Sequence, residues 1–65
     1  MKRFELEKEI KQNGYTIEGF ASEIGMSRTT FWRKLNGESE FDISEAKQIC
    51  TVLGINDPTP IFFDK

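Results

Sequence analysis

Apolar positions recur at helical intervals along most of this chain, with polar residues between them. Leu6 and Ile10, four residues apart, predict a first helix over about residues 3–13. The next apolar group predicts a second helix, over about residues 17–24, and its members share one face: Ile17, Phe20, Ala21 and Ile24. This pattern favours a bundle of helices over a sheet.

A tight turn is predicted between the second helix and a third. Thr16 and Ser27 are residue types common at the N-cap, where a side-chain oxygen accepts a hydrogen bond from an otherwise unpaired backbone amide. Gly25 stands where the second helix would end in a left-handed conformation, which glycine adopts without strain. The segment therefore predicts a helix-turn-helix unit.

The third helix, over about residues 28–36, has two chemically different sides. Phe31 and Leu35, four residues apart, can face the second helix. The opposite side carries no acidic residue and consists of Arg28, Thr29, Trp32 and Arg33. A short helix that is apolar inward and cationic outward suits the major groove of DNA.

A fourth helix is predicted to begin with a capping box and to be followed by a short fifth turn. Asp42 can accept from the amide of Glu45, and Glu45 can accept from the amide of Asp42. The expected buried stripe of this helix comprises Ile43, Ala46, Ile49, Cys50 and Leu53. Gly54 ends the helix, and Asp57 then caps a turn with Pro58 at its first helical position. The predicted fold is all-α: a compact bundle of four helices plus a fifth helical turn.

Length and composition fit one small domain spanning residues 1–65, of which 37% are hydrophobic. Apolar runs fall well short of the roughly 20 residues that a membrane span needs. The start of the chain lacks the apolar core of a secretory signal. A lone Cys50 cannot form an internal disulfide, which fits a reducing compartment. We expect a cytoplasmic protein.

Residues that would support catalysis or metal binding are scarce. The chain has no histidine, the usual base near neutral pH, and no glycine loop with phosphate-binding spacing. Its single cysteine has neither a second thiol nor a base nearby in sequence, which excludes the familiar nucleophile and zinc patterns. We expect no enzyme activity, metal or cofactor.

Charge is unevenly distributed along the chain. The net charge is −2, yet residues 26–37 carry +3 and residues 38–45 carry −4. If residues 26–37 bind DNA, the acidic segment of residues 38–45 must point away from the phosphates of the DNA. A modest affinity that weakens steeply with salt is therefore expected.

Residues 14–54 resemble the Cro and repressor-type (XRE-like) helix-turn-helix domains of temperate phages and their bacterial relatives. The resemblance is carried by Gly14-Tyr15-Thr16, Phe20-Ala21, Ile24-Gly25-Met26-Ser27-Arg28-Thr29-Thr30-Phe31, Lys34-Leu35-Asn36-Gly37, Ser39-Glu40-Phe41 and Ser44-Glu45-Ala46-Lys47. Ile61-Phe62-Phe63 adds a likeness to short regulators of Gram-positive phages. The resemblance implies a lambda repressor-like fold and a sequence-specific transcriptional regulator that binds double-stranded DNA as a pair on a pseudo-palindromic operator. It also implies a location in the cytoplasm of a bacterial host, at the nucleoid.

The resemblance also implies roles for individual positions. It places base reading at Arg28, Thr29 and Arg33, with Trp32 beside them, and backbone contacts at Ser27 and Asn36. For Trp32 two alternatives stay open, the sugar-phosphate wall or the edge of the core.

Two further positions are candidates for the DNA backbone, and two depart from the family pattern. Thr16 and Lys34 are expected to contact phosphate. Ile17 stands where the family commonly has a phosphate-directed glutamine, and Glu38 where it often has lysine. These departures predict fewer phosphate contacts than is usual in the family.

Phe62 and Phe63 are adjacent near the end of the chain and are not both expected in the core. One is predicted to close the core. The other is a possible dimer contact, as C-terminal residues are in phage Cro-type proteins, or is simply exposed.

A second class of function is a helix-turn-helix scaffold that binds protein. The −4 charge of residues 38–45 favours this alternative, in which the domain is an antirepressor or another interaction module.

Overall fold

The computed structural model describes residues 1–63, which form four α-helices and a short π-helical turn and contain no β-strand. In chain order the elements are α1 (Arg3–Gln12), α2 (Ile17–Glu23), α3 (Arg28–Leu35), α4 (Ile43–Leu53) and the C-terminal turn (Thr59–Phe63). The predicted all-α bundle is confirmed. None of these helices is long and apolar enough to cross a membrane.

Side-chain caps fix where α2 and α3 begin. The Thr16 hydroxyl accepts from the amide of Gly19 over 2.9 Å, and the Ser27 hydroxyl accepts from the amide of Thr30 over 3.1 Å. A Cβ at position 19 would lie 3.0 Å from the Thr16 hydroxyl oxygen. A side chain at position 19 would therefore contact the capping hydroxyl closely, although Thr30 and Glu45 carry a Cβ at the equivalent position of the α3 and α4 caps.

The capping box of α4 is present as predicted. The Asp42 carboxylate accepts from the amide of Glu45 over 2.7 Å, and the Glu45 carboxylate accepts from the amide of Asp42 over 2.9 Å. Two backbone donors that the helix itself cannot satisfy are thereby paired.

The turn between α2 and α3 depends on Gly25. Its φ of +72° lies in the left-handed region, as predicted. The amide of Gly25 donates to the carbonyl of Ser22 over 3.0 Å, and the amide of Met26 donates to the carbonyl of Ala21 over 2.9 Å. These two hydrogen bonds end α2, and α3 starts at Arg28, two residues after Met26. The connection between the two helices is therefore short.

Aromatic rings form the centre of the core. Neighbouring rings meet edge to face, with centroids 5.3 Å apart for Tyr15 and Phe20, 5.9 Å for Phe20 and Phe31, and 5.7 Å for Phe31 and Phe41. The series continues to Phe62, 5.5 Å from Phe41. The core therefore runs from the end of α1, beneath α3, to the C-terminal turn.

The two ends of the described chain meet. The amide of Lys2 donates to the carbonyl of Ile61 over 2.7 Å. Asp57 caps the turn by accepting from the amide of Thr59 over 3.0 Å, and hydrogen bonds from the Thr59 amide and hydroxyl lower the pKa of that carboxyl. The helical turn starts at Thr59, one residue later than the position predicted at Pro58.

Two predictions about burial have different outcomes. Phe62 is buried and Phe63 is 43% exposed, so one phenylalanine of the pair closes the core as expected. Ile43 was expected in the buried stripe of α4, but it is 63% exposed, so that prediction is wrong. At 3.6 residues per turn Ile43 lies about 70° from the centre of the stripe, and it is also the first residue of the helix.

Candidate nucleic-acid interface

Packing of α3 determines which of its residues face outward. Phe31 and Leu35 are almost completely buried against the bundle. Thr29 and Arg33 are both exposed, and because they are four residues apart they lie one turn apart on the opposite side of the helix. The outward residues predicted for base reading therefore share a surface, with Arg28 exposed at its N-terminal edge.

The two arginines of α3 are available to a partner. The guanidinium of Arg28 lies 3.9 Å from the carboxylate of Glu18, and the two side chains are 68% and 73% exposed. An ion pair with this exposure and this separation contributes little to stability, so the two side chains separate readily. Within residues 1–63, Arg33 forms no ion pair.

Lys34 is held by the protein itself. Its ammonium donates to both carboxylate oxygens of Glu45, over 2.6 and 2.7 Å, and lies 6.0 Å from the centre of the Phe41 ring. The two charged side chains are only 16% and 23% exposed. One carboxylate of the acidic segment, that of Glu45, therefore lies against a cation of α3.

Two other carboxylates of the acidic segment lie close to α3 in sequence and, among residues 1–63, are not paired with its cations. Glu38 and Glu40 are exposed and follow directly after the end of the helix. Neither forms an ion pair within residues 1–63. The cationic surface of α3 is thus formed by Arg28 and Arg33, with negative charge beyond its C-terminal end.

Hydroxyl groups lie at the starts of α2 and α3, where backbone contacts were predicted. Ser27 donates to the hydroxyl of Thr30 over 2.8 Å while it accepts from the amide of that residue, so its hydrogen bonds are made within the cap. Thr16 only accepts, from the amide of Gly19, and its own proton has no partner within residues 1–63. Thr16 is therefore the freer of the two donors.

Trp32 lies between the core and the outward side of α3. It is partly buried and packs against the core cluster, which corresponds to the second of the two predicted alternatives. The guanidinium of Arg3 lies 5.8 Å from the centre of its ring, within the range of a cation–π contact. The predicted contact with a groove wall would use the exposed remainder of the ring.

Arg3 also binds the end of α3. Its Nη1 donates to the side-chain oxygen of Asn36 over 2.5 Å, and its Nε donates to the carboxylate of Glu7 over 2.9 Å. The sequence reasoning did not identify this role. Arg3 and Asn36 are 33 positions apart, and no short-range pattern pairs them.

Comparison with known protein families decides the class of this fold. The family described as the Cro/C1-type HTH DNA-binding domain matches residues 5–61. The chain belongs to that family. No curated protein and no solved structure matches the chain.

Membership of the Cro/C1-type family relates the geometry of α2 and α3 to DNA binding. In this Cro/C1-type domain α2 and α3 are the helix-turn-helix pair, and the match extends from α1 into the C-terminal turn. Family membership supports a regulator that binds DNA. An outward helix surface with two available arginines agrees with that class.

Proposed function

We propose that this Cro/C1-type domain is a sequence-specific transcriptional regulator of phage or prophage origin that acts on double-stranded DNA at the bacterial nucleoid. The supporting observation is the outward surface of α3, which presents Arg28, Thr29 and Arg33 on a helix that contains no acidic residue. In this proposal α3 enters the major groove, where each base pair displays a distinct pattern of donors and acceptors.

Three exposed side chains of α3 suit features that DNA presents in its major groove. Arg33 and Arg28 can donate two parallel hydrogen bonds to a guanine edge, and Thr29 can contact a thymine methyl group. Only the Glu18 contact of Arg28 has to open for this binding. Trp32 lies beside these residues and would border the groove with the exposed part of its ring.

The backbone contacts follow from groups at three helix ends. Thr16 has a hydroxyl proton without a partner in residues 1–63, and Ser27 and Asn36 are exposed at the two ends of α3. Donors at such positions suit phosphate oxygens. Lys34 would reach phosphate only after leaving Glu45, so we propose it as the weakest of these contacts.

A dimer on DNA would match a pseudo-palindromic operator, with half-sites about one helical turn apart. Phe63 is 43% exposed and borders a groove that Met1, Phe41 and Phe62 also line. We propose this end of the domain as the contact between two copies.

Equilibrium sedimentation of wild type and of Phe63→Ala tests the dimer. Protein concentrations of tens of micromolar are used, because a dimer with an association free energy of about 8 kcal/mol is populated in that range. A dimer that Phe63→Ala dissociates supports the contact. A monomer throughout, with an unchanged DNA affinity for Phe63→Ala, contradicts it.

Selection from a library of random duplexes tests the regulator itself. The expected product is an enriched pair of related half-sites about 10 base pairs apart. The selected duplex should bind far more tightly than random duplex, and both affinities should fall steeply between about 50 and 200 mM salt. No enrichment, together with no binding at the lower salt concentration, would overturn the proposal.

A protein-interaction module is the second candidate. It is favoured by the exposed Glu38 and Glu40 and by the neutralisation of Lys34, which leave a negative surface beyond the end of α3. Such a module, for example an antirepressor, should show no affinity for random duplex even at about 50 mM salt. The same titration therefore separates the two candidates.

A further inference from the structure

Arg3, the first residue of α1, contacts the C-terminal end of α3 with one planar group. Its guanidinium donates to Glu7 within α1 and to Asn36 after α3, and it also lies against the ring of Trp32. A carboxylate, an amide oxygen and an aromatic ring are thus joined by a single side chain. The three contacts use both the donors and the face of the guanidinium.

The hydrogen bond from Arg3 determines how the amide of Asn36 is oriented. Because Oδ1 accepts from Arg3, the Nδ2 end of the same amide faces away from the guanidinium. Nδ2 carries two N–H donors, and it has no hydrogen-bond partner within residues 1–63. Asn36 is exposed, so these donors face solvent beside the outward surface of α3.

We propose that Arg3 is a positioning residue for DNA binding, which orients the amide of Asn36 toward a phosphate oxygen and holds Trp32 against the core. This inference rests on the proposed function. Donors fixed before binding lose less conformational freedom when they meet phosphate. Arg3 acts through Asn36 and Trp32 and is not itself a base-reading residue.

Two substitutions separate geometry from charge. Arg3→Met keeps a long side chain and removes all donors and the charge. Arg3→Lys keeps the charge but provides a point donor that cannot reproduce the planar contacts with Asn36 and Trp32. Lys8→Met is the matched control, since Lys8 is an exposed cation of α1 that makes no side-chain hydrogen bond, ion pair or ring contact within residues 1–63.

Trp32 reports on the contact without DNA. It is the single tryptophan of the chain, so the intrinsic tryptophan fluorescence comes from this cluster. Both Arg3 variants should make Trp32 more accessible to acrylamide quenching, whereas Lys8→Met should leave quenching at the wild-type level. Circular dichroism confirms that each variant is folded before the comparison is made.

DNA affinity is measured by fluorescence anisotropy on a labelled random-sequence duplex of about 20 base pairs, because phosphate contacts do not depend on sequence. Arg3→Lys should weaken binding about fivefold, the effect of one hydrogen bond, although it keeps the charge. In an Asn36→Ala background, Arg3→Lys should cause little further loss, because the partner of Arg3 is already absent.

The outcomes are distinct. If wild type binds the duplex and Arg3→Lys binds equally well, the positioning role is overturned while the DNA-binding function stands. An equally large effect of Arg3→Lys with and without Asn36 also overturns it. If wild type binds no duplex at low salt, the proposed function fails, and the positioning role fails with it.

Discussion

The two sides of α3 differ in burial, in charge and in the contacts that their side chains make. On the inward side Phe31 and Leu35 are almost fully buried, and Phe31 contacts aromatic rings on both sides. On the outward side Thr29 and Arg33 are exposed, and Arg33 makes no ion pair within residues 1–63. The inward side stabilises the fold, and the outward side is available to a partner.

The border between these sides shows that charge alone does not assign a residue to either. Arg33 and Lys34 are adjacent and both cationic, yet one is exposed and the other is largely buried against Glu45. Counting charges along the sequence overstates the cationic surface for this reason. Substitutions should therefore affect stability and binding separately, according to the side on which they lie.

The largest effect is expected on the inward side. Phe31→Ala removes a ring that contacts Phe20 and Phe41, and such a truncation costs about 3–5 kcal/mol of unfolding free energy. A domain of this size has little more than that to lose. Urea denaturation followed by circular dichroism should show a largely unfolded protein. The control, Thr29→Ala, should unfold like wild type, and a stable Phe31→Ala would show that the aromatic series is not central to the core.

The outward side gives the next largest effect, on binding alone. Arg33→Ala should lower affinity for a selected operator by the equivalent of about 1–3 kcal/mol and relax sequence preference at one position. Its stability should stay within about 0.5 kcal/mol of wild type. Competition binding with single-base variants of the operator measures both changes.

Lys47 provides the control for Arg33, since it is an exposed cation on α4. Lys47→Ala should lower affinity for all duplexes slightly and equally, through charge. A Lys47→Ala variant with the same loss of sequence preference as Arg33→Ala would refute the assignment of base reading to α3.

The border residue gives a smaller and opposite effect on binding. Glu45→Gln removes the charge that holds Lys34 while keeping an oxygen for the amide of Asp42. The variant should lose about 1 kcal/mol of stability, as for a weakened hydrogen-bonded charge pair, and bind random duplex more tightly. Affinity measured over a series of salt concentrations should show a steeper slope. An unchanged slope would mean that Lys34 does not reach phosphate even when released.

The smallest effect concerns Cys50, which lies in the same core on α4. Burial, and secondarily the negative charge of Asp57, raise the pKa of its thiol. Above the ordinary thiol pKa the unfolded chain loses a proton that the folded protein retains, so this group lowers stability as pH rises. The difference in unfolding free energy between wild type and Cys50→Ala should shrink from about pH 7 to about pH 9.5. A difference independent of pH would contradict a closed core at this position.

Local features of the fold were predictable from sequence. The starts of α2, α3 and α4 depend on a few neighbouring residues, so Thr16, Ser27 and the capping box of α4 could be recognised from residue type and spacing. The buried apolar positions in the middle of the helices were also predictable, from their spacing in the sequence. Ile43 was misassigned because it is the first residue of α4, where helical periodicity does not guarantee that another element packs over the side chain.

Contacts between distant residues were not predictable. Lys34 and Glu45 are 11 positions apart, and Arg3 and Asn36 are 33 apart, so each pair depends on how the helices pack. Nothing in the local sequence distinguishes these charged residues from those on a solvated face. Which cations reach a partner could therefore only be judged from the fold.

The central claim is that the outward side of α3 contacts DNA. Amide chemical shifts of the ¹⁵N-labelled protein, followed during titration with a selected duplex, test it residue by residue. The largest changes should fall on residues 27–36 and on the indole of Trp32, with residues 38–45 changing least. Changes confined to residues 38–45, or none at a duplex concentration that saturates binding, would contradict it.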